Sequence, residues 1–148
     1  MGGDYDALRN AAVDFDVEVV QVAMKPAKPF AFGRVGDALF FGLPGNPGSV
    51  LVSFESFVRP AVRKWSGIAP SIPATVRGVT GTDLSHADDG KAHFIPMQRG
   101  ADGSWVTAGA IRSHSIDSIA DADALLRMEA DQLFVSSGTE VELSPLWD

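Results

Sequence analysis

The segment GLPGNPGSVLVSFESFVRPAVRKWSG, from Gly42 to Gly67, limits the fold more than any other part of the chain. Asn46 is a favoured helix N-cap and Pro47 a favoured first helical residue. Val50, Leu51, Phe54, Phe57, Val58, Ala61, Val62 and Trp65 then recur at helical spacing. The pattern predicts one long amphipathic helix ending at Gly67, with Arg63 and Lys64 complementing its dipole. Pro60 removes a backbone donor in mid-run and predicts a kink or a restart. A helix with one apolar stripe must cover something, and the flanking sequence supplies strands.

Before the helix, Asp4 can cap a short helix carrying Tyr5, Leu8 and Ala12, and Val17 to Met24 alternates as a half-buried strand. Phe30 to Gly33 and Ala38 to Gly42 read as a hairpin closed by Gly36-Asp37. After Gly67 the texture changes. Pro70 and Pro73 mark a connection, and Thr75–Val79, His93–Gln98, Trp105–Ala108 and Glu140–Leu143 read as strands of a small barrel or sandwich, with Asp102-Gly103 as a hairpin turn. Ser113 to Ala122 has helical spacing, while Ala124 to Met128 fits either a helix or a strand. The expected class is α/β followed by all-β, divided into residues 1–70 and 71–148.

Charge follows the same division. Residues 1–70 carry seven Lys+Arg and seven acids, whereas residues 71–148 carry five against twelve, which accounts for the net charge of −7. A chain without a basic stripe is a poor partner for nucleic acid. No apolar run approaches the ~20 residues of a membrane span, and no secretory signal opens the sequence, so a cytoplasmic protein is expected. With no cysteine, disulfides and thiolate metal sites are excluded. His86, His93 and His114 lie in separate segments with neither a helical pair spacing nor neighbouring carboxylates, so a metal site on them is not expected, and Ser113-His114-Ser115 lacks the glycines of a nucleophile elbow.

Two segments point to an anion site. Lys25-Pro26-Ala27-Lys28-Pro29 follows a strand directly, and its prolines stiffen a backbone that holds two ammonium groups close together. Gly42 to Ser49 leads into the long helix, where free amides and the Ser49 hydroxyl suit an oxyanion. An incidental lysine-bearing loop and a plain strand-to-helix turn are the bland alternatives for each.

The runs AMKPAKPFAFG and FGLPGNPGSVLVSFESFVRPAVRKWSG closely resemble the molybdopterin molybdenumtransferase family, MoeA and the E domain of gephyrin, with its KPGKP and LPGNPVS motifs. Gly3 to Asp6 resembles the end of the family's GGVSxGDxD motif, and Ser71 onward its C-terminal β-barrel. The resemblance therefore implies part of a molybdopterin-binding α/β domain followed by a small β-barrel. It also implies insertion of molybdate into adenylylated molybdopterin with release of AMP, a Mg2+ ion, small anionic substrates and homodimers.

By motif position, the resemblance gives Asp6 and Asp4 to the metal, Asp6, Lys25 and Lys28 to catalysis, and Pro29, Gly45, Asn46, Ser49, Lys91 and Ser113 to the pterin and oxyanion pocket. Ala27 stands where the family has glycine. In the GRxEFxR stretch Lys91 keeps the charge, but His93 replaces the acid and Pro96 the second arginine. A lysine does not reproduce a bidentate arginine. Met1 falls near the end of a family motif, so a truncated chain with little transferase activity alone is expected. A non-catalytic pterin or oxyanion-binding module and a protein-interaction scaffold are the competing readings.

Overall fold

A computed structural model describes residues 16–109 and 117–146. The sequence-predicted helix after Asp4 and the residues Asp4, Asp6, Ser113 and His114 lie outside the described residues.

The first strands form an antiparallel sheet in the order β1-β3-β4, from β1 (Asp16–Gln21), β3 (Pro29–Val35) and β4 (Ala38–Gly42). Val35 pairs with Ala38, so Gly36 and Asp37 make the two-residue turn, with Gly36 at φ +60°. This is the hairpin that the local turn chemistry predicts. Phe30 is buried and meets Phe57 at 4.6 Å between ring centroids, which docks the sheet on the helical segment.

That segment begins as α1 (Pro47–Ser53), where the Gly48 N–H donates to Asn46 Oδ1 at 3.1 Å. It widens into a π-helical turn at Phe54–Val58 and resumes as α2 (Arg59–Trp65). Pro60 therefore lies in the first turn of the resumed helix, in line with the expected restart. Arg59 N–H reaches Phe54 O, five residues back, and the missing proline donor is absorbed by the wider turn. At the far end Gly67 N–H donates to Lys64 O and Ile68 N–H to Arg63 O, with Gly67 at φ +73°. This pair of bonds is a Schellman stop at the predicted glycine. Arg59 bonds Glu55 at 2.8 Å and Pro145 O at 3.3 Å, tying the helix to the end of the last strand.

The larger sheet runs β2-β7-β9-β11-β5, from β2 (Met24–Lys25), β7 (Ala92–Arg99), β9 (Ala124–Met128), β11 (Glu140–Pro145) and β5 (Val76–Val79). β8 (Trp105–Thr107) also pairs with β7, so β2 and β8 share one edge of that strand. Pro96 lies between them, and its carbonyl accepts from Ala108 N at 2.9 Å. Its missing N–H thus faces the gap on that edge rather than the β9 ladder. Ala124 to Met128, ambiguous in sequence, is a strand buried on both faces and therefore shows no alternation.

Two clusters cover the sheet. Ile95, Met97, Leu126, Met128, Val141 and Leu143 line one face with Trp105, Leu84 and Val135. The last two come from a two-stranded ribbon of β6 (Leu84–Ser85) and β10 (Phe134–Val135) that has no counterpart in the sequence reading. Met24, Ala27, Val52, Leu125 and Leu146 form the second cluster on the opposite face, with Leu51, Phe57 and Phe94, and it is this face that the helix covers. α3 (Asp117–Ala120) is a single turn before β9.

Among the described residues the strand order is open, which leaves the expected small barrel unconfirmed. Just beyond β5, Thr80 makes one isolated bridge to Trp105, and Gly81 N–H donates to Trp105 O at 2.8 Å. The described residues are mostly strand around one long helical segment.

Candidate functional site

Met24 pairs with Ala92 and Lys25 with His93, in parallel, and Ala92 N–H donates to Ala23 O at 3.0 Å. Side chains alternate between faces along a strand. Met24 and Phe94 belong to the helix-facing cluster, so Lys25 and His93 project from the other face, beside the ribbon.

There Lys25 finds partners. Asp89 Oδ2 lies 3.0 Å from Lys91 Nζ and 3.8 Å from Lys25 Nζ, and Asp89 Oδ1 lies 3.1 Å from His93 Nε2. His86, which follows β6, stacks on His93 with ring centroids 4.1 Å apart. The His86 ring also reaches Ala87 O at 2.8 Å and Glu129 O at 3.1 Å. Hydrogen bonds from Lys91 and then His93 hold the Asp89 carboxyl well below the usual carboxylate range. Side-chain exposure is 55% for Lys25, 30% for Lys91, 24% for Asp89 and 12% for His93, so the cluster opens to solvent through Lys25.

The dilysine loop is closed by Val22 N–H donating to Lys28 O at 2.8 Å. The Lys25-Pro26 bond is cis, and Ala27 sits at φ +82° with its methyl buried in the helix-side cluster. Lys28 is exposed and has no ion pair among the described residues. Pro29 opens β3. Gly45 is exposed, Asn46 caps α1 and Ser49 is buried. Val52 of α1 and Ala27 share one apolar cluster, so the loop and the first helical turns are anchored together. Lys25 itself points away from that face, toward Asp89.

The structure therefore joins two predicted residues, Lys25 and Lys91, across 66 positions of sequence, and adds Asp89, His93 and His86. His93 does have a carboxylate neighbour, contrary to the sequence reading. The alternation Asp89-x-Lys91-x-His93 leading into a strand is the signal that marks it. Among the described residues no three His, Asp or Glu side chains gather as a metal site. Also among them, no helix is long and apolar enough to cross a membrane. An apolar cavity of about 410 Å³ lies on the helix side, bounded by Met24, Phe57, Pro60, Phe94, Leu125 and Ile72, and none of the predicted anion-binding residues lines it.

Comparison with known proteins matches two regions of the chain. Residues 5–64 match a probable molybdopterin binding domain and residues 79–146 match the MoeA C-terminal region, domain IV. Molybdopterin molybdenumtransferase 2 of Mycobacterium tuberculosis is 35% identical over 139 residues, which are 91% of this chain and 33% of that protein. The molybdopterin molybdenumtransferase of Nostoc is 32% identical over 148 residues, 94% of this chain and 34% of that one. Over most of its length the chain is therefore similar to molybdopterin molybdenumtransferases. It spans about a third of the length of these relatives. A molybdenum cofactor biosynthesis protein from Pyrococcus furiosus shares the fold at a TM-score of 0.72 and 24% identity, over 95% of this chain and 52% of that one. Lys25 lies in the first matched region and Asp89, Lys91 and His93 in the second, so the cluster is built between the two.

Proposed function

We propose that this chain carries part of a molybdenum insertion site, in which molybdate meets adenylylated molybdopterin and AMP leaves. The convergence of Lys25 and Lys91 on a single carboxylate, beside His93, supports this reading above all. Two ammonium groups from separate segments are held where an anion already sits. Both substrates are anionic, and their approach is opposed by charge that water alone screens poorly in a partly closed site. Fixed cations lower that opposition and need little reorganisation when the reaction occurs.

In this reading Lys25, Lys91 and His93 hold the oxyanion. Lys28, which the motif assigns to catalysis, and Pro29, Gly45, Asn46 and Ser49, which it assigns to the pterin and oxyanion pocket, lie on the dilysine loop and the helix entrance. Asp4, Asp6 and Ser113 retain the roles implied by their motif positions. A Mg2+ ion belongs to Asp4 and Asp6 in this reading, and no described residues compose a site for it. Homodimerisation and a cytoplasmic location go with the family resemblance.

Titration of the chain with molybdate at low salt, followed by calorimetry or amide shifts, tests the reading. Lys25→Ala and Lys91→Ala should each weaken binding about tenfold or more, while Lys64→Ala on the helix should leave it unchanged. Equal binding by all three variants would remove Lys25 and Lys91 from the site. A binding module without chemistry would show the same losses of affinity but no molybdenum transfer when adenylylated molybdopterin is supplied.

A further inference from the structure

Asp89 already occupies the position that an oxyanion would take. Its two carboxylate oxygens are divided between partners, Oδ2 toward Lys91 and Lys25 and Oδ1 toward His93. The carboxylate is carried on the turn between β6 and β7, where Ala87, Asp88 and Gly90 are exposed. Gly90 adopts φ +69°, and a Cβ placed there would meet nothing within 4 Å, so the Gly90 end of the turn is open, while His86 bonds Ala87 O at its other end.

We propose that Asp89 is an internal competitor, a tethered carboxylate that closes the Lys25/Lys91/His93 site in the free protein and swings out when an oxyanion binds. The inference rests on the reading of those residues as an oxyanion site. Charge arithmetic favours exchange over joint occupancy. Lys25, Lys91 and Asp89 together carry one net positive charge, and a dianion added beside the carboxylate would leave one net negative charge among groups a few ångströms apart. With the carboxylate displaced, two ammonium groups face two negative charges. A tethered group acts at a local concentration in the millimolar range, so it sets a threshold that a dilute external anion must exceed. If the closed form holds about nine-tenths of the molecules, apparent affinity is about tenfold below that of the open site.

The test is a molybdate titration of the whole chain at fixed ionic strength, comparing wild type, Asp89→Asn, Asp88→Asn and the double variant Asp89→Asn/Lys25→Ala. Asp89→Asn keeps the side-chain shape and should bind molybdate about tenfold more tightly, with the gain lost in the double variant. Asp88→Asn removes the same charge one residue away and should change affinity little. Weaker or unchanged binding by Asp89→Asn, with wild type binding normally, would overturn the competitor and make Asp89 a group that positions the cations. An equal gain in Asp88→Asn would reduce the effect to net charge and overturn it too. If neither wild type nor Asp89→Asn binds molybdate, the oxyanion site itself fails and the competitor falls with it.

Discussion

Lys25 and His93 are register partners across the parallel pairing of β2 with β7. Two residues of strand thus connect the segment matched to the molybdopterin-binding domain with the segment matched to the MoeA C-terminal region. Met24 anchors the connection, being 4% exposed in the helix-side cluster with Leu125 and Leu146. Met24→Ala should therefore cost about 2–5 kcal/mol, the range for truncating a buried methionine. Chemical denaturation measures the loss. Amide exchange should show the Ala92 N–H, which donates to Ala23 O, losing protection first. A loss below about 1 kcal/mol would mean that this short pairing is peripheral to the fold.

Gly78 of β5 faces Trp105 so closely that a Cβ would fall on the indole Nε1 and Cδ1. The indole has little room to retreat. It is 4% exposed in the ribbon-side core, and Arg99 lies 4.0 Å from its ring centroid. Gly78→Ala should destabilise the protein by about 1–3 kcal/mol through overpacking, seen as a lower thermal midpoint and a shifted tryptophan emission. Unchanged melting would show that the strand can slide past the ring.

Legibility in the sequence followed the range of the interactions. The β3-β4 hairpin and the capped helix were readable because Gly36-Asp37, Asn46-Pro47 and Gly67 act within a few residues of themselves. Ala124 to Met128 was not, because a strand covered on both faces loses the period that identifies it. The β6-β10 ribbon has two residues per strand, too few for any period. For the site, the lysines stood out by local spacing, but their common partner did not. Asp89 lies 64 positions beyond Lys25, and only the β2-β7 pairing brings them together. The same pleat sends Lys25 to the face opposite the helix, which no pattern within the dilysine motif could reveal.

Ala27 sits in the left-handed region at φ +82° with its methyl buried beside Val52 and Leu125. That conformation costs a non-glycine residue about 1–2 kcal/mol. Ala27→Gly removes the strain but also a buried methyl and some restriction of the unfolded chain, so the change should be within about 1 kcal/mol of neutral. Ala27→Val adds a branched side chain to the same backbone and should destabilise by about 2 kcal/mol or more. Denaturation of the pair separates the terms. Equal stability of the valine and glycine variants would show that the loop relaxes out of the left-handed region.

Asp89 makes the acid-side behaviour of the cluster predictable. Lys91 and then His93 stabilise its ionised form by hydrogen bonds, so its folded value lies below that in the unfolded chain. A carboxyl depressed in this way contributes stability that is complete above the unfolded value, about 4, and fades as pH falls toward the folded value. Thermal melting of wild type and Asp89→Asn at intervals from neutral pH downward should show wild type ahead at neutral pH. The gap should close only well below pH ~4, because the native carboxyl keeps its charge there while the unfolded one takes up a proton. The lead should also shrink in high salt, since the carboxyl is partly exposed and screened by ions. A gap that stays constant from neutral to strongly acidic pH would show that the variant acts through the shape of the turn rather than through the charge of Asp89.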